Sequence, residues 1–217
     1  KVLESIKYFK KILGLDRNYF LALRALGRAY LALDDVKNSI LFFNKAMQQK
    51  KDDVKLMNEI VNVYNKIEKY HSSKKILEYA RSLKPLEPIT LNNLGIVFRK
   101  LENYELAICN LTKAIELEPT SVIIPTNLAR ALRLNKQKMV AMEKCEIAFR
   151  INPNFPAAVH EYVLCSSNFK DSIVRLKKSI DAYPNIPMVR RGLVWAYLKE
   201  GNIDSAKDHM IYSLDHF

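Results

Sequence analysis

Val2, Ile6, Phe9 and Leu13 recur three or four residues apart at the start of the chain, a spacing that gathers apolar side chains on one stripe of a helix. A longer period is laid over this local one. Stepping by 34 residues from Gly95 reaches Gly27, Val61 and Ala129. Twelve residues after these anchors stand Ser39, Ser73, Ala107 and Ala141, and seven further on Ala46, Ala80, Ala114 and Ala148, all of them small. Five residues beyond come Lys51, Pro85, Pro119 and Pro153, so three of the four copies break the chain with proline, as a helix end should. Tyr30, Tyr64, Phe98 and Leu132, three residues after the first anchors, are large apolar groups able to fill the space that the small ones leave. A fixed period of this length redefines the whole fold as a repeat array.

The pattern resembles the tetratricopeptide repeat, most clearly in the copy "LNNLGIVFRKLENYELAICNLTKAIELEP" beginning at Leu91. The resemblance implies two antiparallel helices per repeat and an all-α, right-handed superhelical solenoid of about thirteen helices. One domain, 1–217, is expected, with a half repeat at 1–19 and repeats at 20–53, 54–87, 88–121, 122–155, 156–186 and 187–217. The fifth copy is three residues short, and the shortening is expected in the turn between its helices. The family's usual Trp at repeat position 4 is absent, with Leu23, Met57, Leu91, Pro125, Val159 and Arg190 in its place. Solenoids end in polar caps, yet apolar stripes reach both termini, which predicts either a chain cut from a longer protein or self-association through the uncapped terminal helices. Lys at position 1 points the same way, to an excised or processed segment.

Composition narrows the class further. The chain of 217 residues is 49% hydrophobic and 27% charged, an ordinary globular balance, and five Gly with eight Pro are too few for a sheet of many tight turns. Cys109, Cys145 and Cys165 are odd in number and widely spaced, so neither a disulfide framework nor a thiolate metal site is indicated, and a reducing, cytoplasmic setting is expected. No apolar run reaches the roughly 18 to 20 residues that span a bilayer, and no signal-peptide pattern opens the chain.

Enzyme signatures are absent: the sequence has no phosphate-cradling glycine loop, no GxSxG, no HExxH and no metal-spaced Cys/His cluster. His71, His160, His209 and His216 fall in different repeats and registers. Cys145 and Cys165 occupy apolar-register positions and read as packing residues. No catalytic residue, metal or cofactor is expected.

The resemblance assigns the lining of a concave face to positions 2, 5, 6, 9, 12 and 13 of each repeat. Those positions carry Arg24, Arg28, Lys55, Lys66, Arg99, Lys100, Arg130, Arg133, Arg191 and Lys199 against only Glu59 and Glu161. That is a net +8 out of +12 for the chain, so basicity is concentrated where a ligand would lie and an acidic partner is expected. Asn58 and Asn92 share position 5, Asn93 and Asn127 share position 6, and Asn62 follows one turn after Asn58. The resemblance implies a short ladder of amides that reads the backbone of an extended peptide. The family's chaperone-binding arrangement fails, because the basic pair it needs in its third repeat is replaced by Ile89 and Asn93 or by Ile123 and Asn127. Trp195, with Met188 and Leu198 near it in register, is either a binding hot spot or a surface covered by a further element; both readings stay open.

The expected function is therefore a non-enzymatic scaffold that binds an extended, acidic peptide or protein segment. Its peptide-binding residues would be Arg24, Arg28, Asn58, Asn62, Asn92, Asn93, Arg99, Asn127, Arg130, Arg133, Arg191 and Trp195. Single-stranded RNA is the alternative ligand, and it is disfavoured because the assigned lining offers one stacking platform, Trp195. A further alternative is a regulatory or oligomerising part of a larger multidomain protein, such as a bacterial signalling protein.

Overall fold

A computed structural model describes the backbone of residues 1–216 and the side chains of residues 1–214, so the His216 side chain lies outside the described residues. Among the described residues there are thirteen α-helices and no strand: α1 (Val2–Leu15), α2 (Phe20–Ala32), α3 (Val36–Gln49), α4 (Val54–Lys66), α5 (Tyr70–Leu83), α6 (Pro88–Lys100), α7 (Tyr104–Leu117), α8 (Ile123–Leu134), α9 (Lys138–Ile151), α10 (Pro156–Cys165), α11 (Phe169–Ala182), α12 (Pro187–Lys199) and α13 (Ile203–His216). The chain is an all-α helical repeat solenoid, and it falls into two compact units, residues 1–101 and 102–217. No helix of the described residues is long and apolar enough to cross a membrane.

Local chemistry sets the helix ends. Asp35, Asp53, Asn103 and Asn168 accept from backbone N–H groups in the first turns of α3, α4, α7 and α11, satisfying donors that a helix start leaves open. Pro88, Pro156 and Pro187 sit in the first turns of α6, α10 and α12, where a missing N–H costs nothing. The turn after each first helix passes through left-handed backbone at one repeat position: Asp34 (φ 63°), Glu68 (57°), Glu102 (60°), Lys136 (62°) and Gly201 (77°). Four of these five are residues with a Cβ, which costs roughly 1 kcal/mol or more each.

The fifth repeat departs from this pattern, and not as expected. Its three missing residues come from the end of α10, which has 10 residues where α2, α4, α6 and α12 have 13, while the following turn keeps the same three-residue length. The left-handed residue goes with them, and α10 ends instead on Ser166 in extended backbone.

In unit 1 the core closes on small residues. Gly27 meets the ring of Phe43 so closely that a Cβ would stand 2.5 Å from Cδ1, and Ser39 Oγ donates to the Gly27 carbonyl at 2.8 Å. Ala46 and Ala80 are wholly buried, as are Leu56 and Val63 around them. In unit 2 Ala114, Ala129, Ala141 and Ala148 play the same part. Arg190, at the position where the family usually has Trp, is buried with its guanidinium carbon 3.6 Å from the centre of the Tyr212 ring, so a cation–π contact replaces aromatic packing.

Candidate functional site

The first helices of unit 1, α2, α4 and α6, surround a cavity of about 330 Å³ lined by Arg24, Arg28, Lys55, Asn58, Glu59, Asn62, Glu87, Ile89 and Asn93. All of these except Glu87 were expected on a lining surface from their repeat positions. Glu87 immediately precedes α6, outside the six positions read from the sequence, so the register gave no signal for it.

Charge in this cavity is internally organised. Glu59 Oε2 accepts from Arg24 Nε at 2.9 Å, Oε1 accepts from Arg24 Nη2 at 2.5 Å, and Arg28 Nη2 closes on the same Oε1. Burial would raise the Glu59 carboxyl, but its hydrogen bonds and charge contacts with Arg24 and Arg28 hold it below the ordinary range. The pair is unevenly exposed: the Arg24 side chain is 17% exposed and that of Arg28 58%. Lys55 is exposed and has no ion pair among the described residues.

The amides are organised as well, which corrects their expected role. Both Asn58 amide hydrogens are taken, by the Val54 carbonyl and by Thr90 Oγ1, each at 2.9 Å, and its own oxygen accepts from Asn93 Nδ2 at 2.8 Å. Asn58 and Asn93 are buried, so Asn58 braces α4 against α6 with no hydrogen left to offer a peptide. The reason is direction: position 5 of one repeat and position 6 of the next face each other across neighbouring first helices. Asn62 is exposed on the cavity wall, whereas Asn92 and Asn127 are half-buried and already engaged within the protein. Arg99 is likewise half-buried and engaged.

Unit 2 repeats the arginine device in a different setting. Glu161, on α10, accepts from Arg130 Nε at 2.5 Å and from Arg133 Nε at 2.9 Å, both on α8. The Glu161 side chain is 2% exposed, and Arg130 and Arg133 are 24% and 22% exposed. Burial opposes its ionisation, yet the imidazole of His160, 3.9 Å away, and the guanidiniums of Arg130 and Arg133 bring its pKa down to about 2. The expectation that these two arginines supply free attraction is corrected by this geometry: they are the counter-charge of a buried carboxylate.

Around them, burial pushes Cys165 up to about 11 and Cys145 higher still, so neither is a nucleophile at neutral pH. Cys109 is exposed. Trp195 sets its ring edge-on to Phe169, with centroids 5.2 Å apart, and lines an apolar cavity of about 390 Å³ with Val194, Leu198, Met210 and Leu214; exposed Arg191 is on its rim. Met188, expected beside it, is not in that lining.

Helix pairs closed on small residues and presenting polar first-helix surfaces define a helical-repeat fold, a class that serves in general as an interaction scaffold. The tetratricopeptide repeat family model matches residues 23–53 and 89–121, so the chain carries tetratricopeptide repeats in these segments. Among similar solved structures is the APC/C hetero-tetramer Cut9-Hcn1, with a TM-score of 0.78 and 18% identity over 90% of this chain and 40% of that one. Pseudomonas aeruginosa pilF gives a TM-score of 0.73 and 17% identity over 89% of both chains. YrrB, a TPR protein with an unusual peptide-binding site, gives 0.58 and 18% over 83% of this chain and 95% of its own. At such identities the likeness is one of fold. No curated protein matches the sequence.

Proposed function

We propose that this protein-interaction scaffold binds an extended acidic segment of a partner protein on the face formed by α2, α4 and α6. The observation that carries the reading is the donor-rich cavity there: Arg24, Arg28 and Lys55 outnumber Glu59 and Glu87, and the exposed Arg28, Lys55 and Asn62 present N–H groups to it. The Glu59 carboxylate and the Asn58 oxygen are spent on internal bonds, so against the remaining N–H groups a ligand that only accepts, a carboxylate, fits best. Ile89, exposed at the rim, adds an apolar contact for a neighbouring side chain. The peptide-binding site of the YrrB fold relative supports peptide as the ligand class. In unit 2, Arg191 and the Trp195 cavity are the second surface we assign to partner binding.

Fluorescence anisotropy with a labelled extended peptide alternating Ser and Glu, beside its Ser/Gln counterpart, tests this. The acidic peptide binds, its affinity falls as salt rises, and R28E/K55E weakens it by about tenfold or more. Equal affinity for both peptides overturns the reading, and nuclease-sensitive, salt-steep binding of an oligonucleotide in preference to the peptide would restore the RNA alternative.

A further inference from the structure

Glu59 is the carboxylate that Arg24 and Arg28 share, and it takes from them bonds a ligand would need. Arg24 is spent on it through two N–H groups, while Arg28, exposed and lining the cavity, reaches the same oxygen through one and has further donors in its fork. A carboxylate entering this cavity meets guanidiniums whose charge is already half neutralised. We propose that Glu59 acts as an internal competitor for the acidic ligand, holding Arg28 until the incoming carboxylate displaces it, and so sets how acidic a segment must be to bind. This rests on the acidic-segment reading above. The split of roles follows from burial: Arg28 changes partner, whereas the half-buried Arg24 keeps Glu59 and positions it.

The exchange needs no large motion. Glu59 retains two hydrogen bonds from Arg24 when Arg28 leaves, so its charge stays paired, and Arg28 gains a partner in the same solvent-facing space. Segments with isolated acidic residues gain little over Glu59 itself. Segments with several closely spaced acidic residues, as in the Ser/Glu repeat, can engage Arg28 and Lys55 together, and these are the partners the site selects.

The test compares affinities of the Ser/Glu peptide for wild type, E59Q and E87Q. Glu87 lines the same cavity and among the described residues pairs with neither arginine, so E87Q removes equal charge without releasing Arg28. E59Q should bind roughly tenfold tighter and E87Q no more than about twofold tighter. Should E59Q fail to fold, R24Q/E59Q, which removes the paired unit together, should still exceed wild type. Equal gains in E59Q and E87Q, or a folded E59Q no tighter than wild type, overturn the competitor role while leaving the acidic-segment reading standing. Absence of peptide binding in wild type and in both glutamate variants overturns the two together.

Discussion

Glu59 and Glu161 hold the same repeat position in different copies, and each is gripped by two arginines from the preceding first helix, yet the two clasps do different work. The Glu59 clasp opens on a cavity, and one of its arginines is more than half exposed. The Glu161 clasp is closed, with its carboxylate 2% exposed, so removing that charge strands two partly buried cations. The difference teaches that repeat position alone does not make a binding residue. What decides is whether the charge it presents is solvent-facing after its neighbours have bonded to it.

The strongest way to break the comparison is to truncate each glutamate. E161A should cost about 3 to 5 kcal/mol and E59A about 1 to 2 kcal/mol, because E161A strands two partly buried arginines, whereas E59A strands only Arg24 and leaves Arg28 able to turn to water. Urea unfolding followed by Trp195, the only tryptophan and a residue of unit 2, reads the first, and amide hydrogen exchange in α2 and α4 reads the second. Equal costs would erase the distinction.

Acid sharpens the same contrast. A glutamate of ordinary pKa 4.5 held near 2 binds fewer protons folded than unfolded between those values. Its stabilisation is therefore complete above pH 4.5 and lost as pH falls to about 2, a contribution on the order of 3 kcal/mol. E161Q should lack this acid-dependent loss, which a urea series at stepped pH measures.

Two further substitutions complete the set by perturbing unit 1 away from the Glu59 clasp and its cavity. G27A should destabilise by about 1 to 3 kcal/mol, since the buried Phe43 ring must yield to the new methyl group, and circular dichroism melting reads the loss. E68G should stabilise by about 0.5 to 1 kcal/mol through relief of the left-handed backbone, with peptide affinity unchanged.

Much of the fold was legible because the repeat is carried by sterics. Gly27, Ser39 and Ala46 are small where helices touch, and such positions recur in the sequence whatever else varies. The shortened α10 was misplaced because a deletion count says how many residues are gone, while the conserved turn length, a property of backbone closure, says from where. The cavity residues were legible by register, Glu87 excepted. Their bonding was not: Asn58 is spent on Val54 one turn back and on Thr90 and Asn93 a repeat away, and in unit 2 Arg130 and Arg133 bond Glu161 about 30 residues on, pairings that periodicity alone does not name.

The arginine side-chain Nε–Hε signals in a nitrogen-15 NMR spectrum, followed as the Ser/Glu peptide is added, test the central contrast most directly. Arg28 and Arg24 should shift in step with binding while Arg130 and Arg133 stay where they are. Shifts at Arg130 and Arg133 with none at Arg28 would contradict the account.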